Sequence, residues 1–335
     1  MNDRVYDSGS SDAPRDAQAN QPIWVNEADV RAGLERIKAA PLDPKRGLFG
    51  PGSMYWEVNK HAIVYFLGAV QAVQLQLAHP WIATAVFEHS KVMSAPRKRA
   101  QLTYIYLWSL IYGDLEMVSK KSLSLYKLHT HVKGSIGEEA GHHAAGSAYA
   151  ANEQSALLFV HVTAFYTRVK LYEALIRPLT DEERDRFCAD AKLYAYCFGI
   201  PEEAHPSSWQ EVEDYLGGIQ RSDLLGRTEP GVTISRFMEK SIPRPLRRPL
   251  WTFLTLSLPE RTREILGLPK ETPGNLRRHR VMSAFFRMLI RVLPGRFAFV
   301  PAYHEALRRI AGEREPDRIT RAMNRVFLGV PKLVS

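Results

Sequence analysis

Apolar residues recur with the period of an α-helix along almost the whole chain, and no set of runs alternates with the two-residue rhythm of strands. A chain patterned in this way buries its apolar faces by packing helix on helix. Asn26 is placed to cap a helix to about Ile37, with Asp29 in its first turn. Residues 45–53, Lys-Arg-Gly-Leu-Phe-Gly-Pro-Gly-Ser, read as a loop, and a long helix is expected from about Tyr55 to His79. Pro80 stops or kinks it, because the ring removes the donor owed to the Gln76 carbonyl. A helix from about Trp81 to Ser90 follows, and Pro96 suits the first turn of another that Gly113-Asp114 ends. The next helix is expected from Asp114 to about Val132, followed by a Gly/Ala-rich loop over 134–151. Asn152 opens a long helix to Ile176. Thr180 with Glu183 and Ser208 with Glu211 form capping boxes for helices ending near Phe198 and Leu216. Pro259 opens a helix to Ile265, and amphipathic helices fill 272–293 and 301–326. There is no internal repeat. The expected fold is all-α, one large domain of roughly a dozen helices.

Of the 335 residues, 45% are hydrophobic and 24% charged, which suits a globular protein with a substantial core. No Gly/Ser-rich or Pro-rich linker separates two periodic blocks. The expected organisation is a disordered tail over 1–22, an all-α main domain over 23–300 and a basic helical extension over 301–335. The tail is rich in Asp, Ser, Ala and Asn and has no apolar run, so it does not read as a signal peptide. The longest apolar stretch, His61 to Phe87, is broken by Gln71, Gln74, Gln76, His79 and Pro80, whereas a membrane span needs about 20 predominantly apolar residues. It reads as a helix buried inside a cytoplasmic protein. Cys188 and Cys197 fall in a helical pattern without Cys-x-x-Cys spacing, so no disulfide framework is expected.

The net charge of +9 is unevenly placed. From Lys240 to the end there are 20 Lys+Arg against 7 Asp+Glu, an excess of +13, which leaves −4 on residues 1–239. Nucleic acid is one partner for such a patch. The arginines, however, are interleaved with bulky apolar residues, as in Phe285-Phe286-Arg287-Met288-Leu289-Ile290-Arg291-Val292-Leu293. That pattern fits an amphipathic helix against a core or a peripheral contact with an anionic membrane surface better. No nucleic-acid partner is expected.

There is no Gly-x-Ser-x-Gly elbow, Walker loop, Rossmann glycine triplet or His-Glu-x-x-His. Chemistry must come from histidines and arginines on helices. Arg99/Thr103 and His129/Lys133 are each spaced i,i+4, so on helices each pair projects one way. Two facing helices then offer a nitrogen ligand, two cations and a hydroxyl to one buried site, suitable for an anionic, iron-bearing cofactor such as haem. His129 and His131 diverge by about 200° on a helix, so one points inward. His129, four residues after Leu125, is on the more apolar side; the plain alternative is a core histidine bonded to a carbonyl. His61 and His79 lie about 27 Å apart on one helix and cannot share a metal. His79, just before the kink, either satisfies a freed carbonyl or lines a pocket. Glu88 and His89 diverge by about 100°, so at most one faces a site, and either suits the surface as well. His161 lies in the apolar run Leu157 to Phe165 and suits a core or a pocket, with Arg168 roughly on its face. His142 and His143 are expected to be exposed. A non-haem metal site from His79, Glu88, His129 and His161 is a further arrangement.

Several motifs occur in one order: Gly-Leu-Phe-Gly-Pro-Gly-Ser (47–53), Gln-Leu-Ala-His-Pro (76–80), Glu-His-Ser (88–90), Arg-x-x-x-Thr (99–103) and Leu-His-Thr-His-Val-Lys-Gly (128–134). Val-His-Val-Thr (160–163) and Arg-Pro-Leu-Thr-Asp-Glu-Glu-Arg (177–184) continue it. Together, over about residues 45–270, they resemble the DUF2236 family, the oxygenase MpaB or latex-clearing-protein (rubber oxygenase) family. The resemblance implies an all-α fold around a buried haem b pocket, and an enzyme that cleaves isoprenoid carbon–carbon double bonds with dioxygen. It puts the axial histidine on His129, the pocket arginine and threonine on Arg99 and Thr103, a cation on Lys133 and a distal acid on Glu88. His79 is expected beside bound dioxygen and His161 beside the cofactor. The chain departs from the rubber-cleaving members in having Leu102 for a pocket lysine, Tyr126 for an arginine and no export signal. The reading is therefore a haem b-dependent oxygenase acting on an apolar, isoprenoid- or lipid-like substrate. The alternatives are a haem protein with peroxidase-like, hydratase or sensor chemistry, and a non-catalytic helical lipid-binding protein.

Overall fold

The computed structural model describes residues 22–333. The expected disordered tail therefore lies, up to residue 21, outside the described residues. Helices come in the order α1 (Glu27–Ala39), α2 (Met54–Asn59), α3 (Ala62–Leu77), α4 (Pro80–His89), α5 (Pro96–Tyr112) and α6 (Leu115–His129). The strands β1 (Lys133–Ser135) and β2 (Ala148–Ala150) follow, then α7 (Gln154–Leu175), α8 (Asp181–Tyr196), α9 (Trp209–Arg221) and α10 (Glu229–Ser241). The chain continues with α11 (Arg244–Leu256), α12 (Glu260–Leu266), α13 (Pro273–Val292), α14 (Gly295–Ala298), α15 (Pro301–Ile310) and α16 (Arg318–Phe327). The fold is all-α, as the periodicity implies.

Local chemistry sets many of the boundaries. Asn26 and Asp29 form a reciprocal capping box for α1, and Thr180 and Glu183 form another for α8. Ser208 caps α9 through Glu211 N, but the Glu211 carboxylate turns to Ser207 N instead of closing the box. Glu153, not Asn152, caps α7. Pro80 occupies the first turn of α4, and the chain bends by 111° between α3 and α4.

Two expectations need correction. The helix expected from Tyr55 to His79 is broken at His61, whose backbone is extended. The Lys60 carbonyl leaves the helical ladder to accept from Val300 N at 2.8 Å, and His61 pairs with Phe299. A distant segment thus competes for the backbone. The second correction concerns residues 130–151. After His129 the chain makes a tight turn, with Val132 N donating to the His129 carbonyl, and enters β1. β1 pairs antiparallel with β2, so the expected loop contains a small hairpin.

The core is built around α3 and α7, the largest helix–helix interface. Thr167 Oγ1 donates to the Gly68 carbonyl at 2.9 Å across it. The last two helices pack on the same core: Phe327 stacks on Phe66 at 4.8 Å, and Tyr303 meets Trp56 edge-on at 5.6 Å. Cys188 and Cys197 are free and buried.

Candidate functional site

α5 and α6 form an antiparallel hairpin. Asp114 accepts from Met117 N at 2.8 Å and so starts α6 directly after the turn. Tyr106 Oη and Ser124 Oγ meet at 3.0 Å across the hairpin and fix its register. The register brings the first turns of α5, with Arg99 and Thr103, level with the last turn of α6, which carries His129. The end of α4 and the β1–β2 hairpin close the same end.

His129 is half-buried and His131 exposed, so the apolar side of α6 does turn His129 inward. The ring lies among Ser122, Leu125, Asn152, Leu157, Cys197 and Phe198. Burial pushes its pKa down to about 4, opposed by a hydrogen bond to Asn152. The imidazole is therefore neutral near pH 7, the form that ligates a metal. His131 instead places Nδ1 2.9 Å from the Lys127 carbonyl.

Arg99 is part-buried, and burial lowers its pKa. Its Nε donates to Ser90 Oγ at 3.1 Å and its Nη1 to Thr103 Oγ1 at 2.6 Å. Thr103 in turn donates to the Arg99 carbonyl at 3.0 Å. The threonine hydroxyl thus positions the guanidinium. Among the described residues no carboxylate pairs with Arg99, leaving a cation suited to an anionic ligand.

Glu88 accepts from Tyr149 Oη, and His89 Nε2 lies 3.1 Å from the same hydroxyl. Burial first, and Glu88 second, push the Tyr149 pKa up, so the phenol keeps its proton. Tyr149 pairs with Gly134 across the hairpin. A Cβ at Gly134 would sit 2.6 Å from Tyr149 Oη and 3.1 Å from Glu88 Oε2. Lys133 lies one residue earlier, exposed on β1. The spacing argument that set His129 and Lys133 on one helical face fails, because the helix ends between them.

His79 and His161 belong to other clusters. His79 caps the start of α4, about 13 Å along that helix from Glu88 at a rise of about 1.5 Å per residue. It is buried beside Trp81, Phe159 and His143, and burial and the neighbouring histidines lower its pKa to about 3. His143 is buried, contrary to expectation, while His142 is exposed and meets Asp223 at 3.1 Å. His161 Nε2 contacts His205 Nε2 at 2.9 Å, and His205 Nδ1 lies 2.7 Å from the Pro206 carbonyl. The pair is held neutral in the core. Among the described residues no three His, Cys, Asp or Glu side chains converge as a metal site. The arrangement of His79, Glu88, His129 and His161 around one metal is not formed. Tyr149 and His205 escaped the sequence reading, since only partners distant in sequence give them a role.

The individual donors suit haem, a neutral imidazole on α6 and a guanidinium without a carboxylate on α5, but the space beside His129 is lined from α6, the start of α7 and the end of α8 and includes neither Arg99 nor Thr103, so the two pairs do not face one site as their spacing implied. The enclosed space beside His129 is about 10 Å³, no more than one water needs and far smaller than a porphyrin. On the neighbouring face of α5 an open groove of about 560 Å³ runs past Leu102, Ile105, Leu328 and Val330, with Arg97 and Lys98 at its rim. That volume suits a small apolar ligand. Half-exposed Leu102 lines the groove, at the position where the resemblance expects a pocket lysine.

A family profile described as the catalytic domain of the ER-bound oxygenase mpaB/B'/rubber oxygenase matches residues 56–291. No curated protein and no solved structure matches the chain.

Proposed function

The chain belongs to the mpaB/rubber oxygenase catalytic-domain family and is an oxygenase; from this premise we propose that it is a haem b-dependent enzyme that uses dioxygen to cleave a carbon–carbon double bond of an apolar, isoprenoid- or lipid-like substrate. The observation that carries the reading is a neutral, part-buried His129 at the end of α6, with Arg99, which has no carboxylate partner among the described residues, in the first turns of the neighbouring α5. Bound haem supplies the redox-active iron at which dioxygen is activated. His129 would offer a ring nitrogen to that iron, and Asn152 lines the same space. Arg99, oriented by Thr103 and Ser90, neutralises a propionate. Tyr149 holds its proton against Glu88 Oε2 and leaves its lone pair to His89 Nε2, so this trio can pass a proton from His89 to Glu88. The open groove beside Leu102 offers an apolar surface to the substrate. His161 is held by His205 in the core, and His79 lies in a separate cluster with Trp81, His143 and Phe159, so neither ring is assigned to this site.

The test is a visible spectrum of the purified full-length protein supplemented with haem, oxidised, reduced and with carbon monoxide. The expected result is a Soret band in the wild type that His129→Ala largely abolishes. A variant that retains the full band overturns the ligand assignment, and a wild type without one overturns the haem reading.

A further inference from the structure

We propose that the protein docks on an anionic membrane surface through the outer face of α13. This helix has 20 residues, about 30 Å at the ordinary helical rise, yet Ser283 is its one buried residue. Its inner side packs on α11, where Phe286 meets Phe253 at 5.0 Å. Its outer side carries Val281, Phe285, Met288 and Val292, which are 59, 45, 58 and 68% exposed. At about 100° per residue these four fall within one narrow arc, with Arg277 on the same line and Arg280, Arg287 and Arg291 along one shoulder. Leu246 on α11 and Phe297 on α14 are exposed as well.

The charge of this region has one sign. Residues 240–300 hold 13 Lys+Arg and three acidic residues, Glu260, Glu264 and Glu271. The ion pairs there are Arg263 with Glu271 and Arg296 with Asp317. Among the described residues, Arg244, Arg248, Arg277, Arg280, Arg287 and Arg291 meet no carboxylate. Water alone does not favour a line of four large apolar side chains, and an apolar stripe flanked by unpaired cations is the pattern that inserts among acyl chains beneath anionic headgroups. The other occupants match half of it. A second copy would bring two sets of arginines face to face, and nucleic acid would leave the stripe in water. The N-terminal residues Asp3, Asp7, Asp12 and Asp16 match the charge but lie in a segment without an apolar run. No single helix among the described residues is long and apolar enough to cross a membrane, so the contact is peripheral.

The test is flotation of the full-length protein with vesicles of phosphatidylcholine alone and of phosphatidylcholine mixed with phosphatidylglycerol. Binding is expected on the mixed vesicles and not on the neutral ones, and should weaken as salt is raised. Phe285→Ser with Met288→Ser should reduce the partition coefficient about tenfold, from the apolar area no longer inserted. Arg280→Glu with Arg291→Glu should reduce it about fivefold for each cation removed. These side chains are exposed, and circular dichroism checks that each variant folds. Equal binding to both vesicle types, or undiminished binding by either variant, overturns the proposal. So does a dimer in sedimentation equilibrium that Phe285→Ser with Met288→Ser dissociates, since the stripe would then belong to a second copy.

Discussion

Gly134 shows how much of the site depends on a single missing methyl. The strand passes so close to Tyr149 that a Cβ would lie 2.6 Å from its hydroxyl. Gly134→Ala must push Tyr149 off Glu88 and is expected to lower stability by about 1–3 kcal/mol, the usual effect of overpacking. Gly137→Ala, in the same segment but with nothing within 4 Å of its added Cβ, is the matched control and should stay within about 0.5 kcal/mol of the wild type. Urea midpoints of the two proteins measure the difference, and equal midpoints would refute the close-approach argument. At this scale the sequence was partly legible. The choice of His129 over His131 followed from the apolar side of one helix. The Tyr149–Glu88 contact, 61 residues apart, had no local signal.

The elements are held by contacts of the same kind at larger span. α3 crosses α7 at Gly68, where an added Cβ would lie 2.9 Å from Arg168 Cγ and 3.3 Å from its Cα. Arg168 is itself buried over the Tyr65 ring, its Cζ 4.4 Å from the centroid, with one Nη bonded to Asn59. Substituting Gly68→Ala therefore has to separate the two central helices or displace a buried cation. The expected loss is about 1–3 kcal/mol, seen as a lower denaturant midpoint; an unchanged midpoint would mean that the crossing is looser than described. Helix existence was legible from periodicity, and the capping boxes at Asn26 and Thr180 were legible from their i,i+3 chemistry. The break at His61 and the β1–β2 hairpin were not, because Phe299, Val300 and Ala148–Ala150 compete for those backbones from elsewhere in the chain.

Across the whole molecule, several buried histidines are kept neutral by desolvation. Burial is the first cause at His79, brought to about 3, at His143 and His205, each brought to about 4, and at His161, brought well down. A histidine in the unfolded chain titrates near 6.5. Between about pH 6.5 and pH 4 the unfolded state thus binds more protons than the folded one, and stability falls as pH falls. The thermal midpoint should be flat above about pH 7 and decline through that window, by up to about 1.4 kcal/mol per pH unit for each histidine. A midpoint constant from pH 7 to pH 4.5, within roughly the window given by the reference histidine value, would show that these rings are solvated.

The sequence by itself determined the all-α class, the main caps, the bend at Pro80, the inward turn of His129 and the family. These rest on interactions within one or two helical turns, or on motifs preserved in order along the chain. The tertiary structure alone decided which cations lack partners and which polar groups meet. It left Arg99 without a carboxylate among the described residues, moved Lys133 onto an exposed strand, joined His161 to His205 and lined the arginines of α13 beside an exposed apolar stripe. Desolvation and counter-ion supply depend on segments that are distant in sequence and adjacent in space, and no local pattern encodes them.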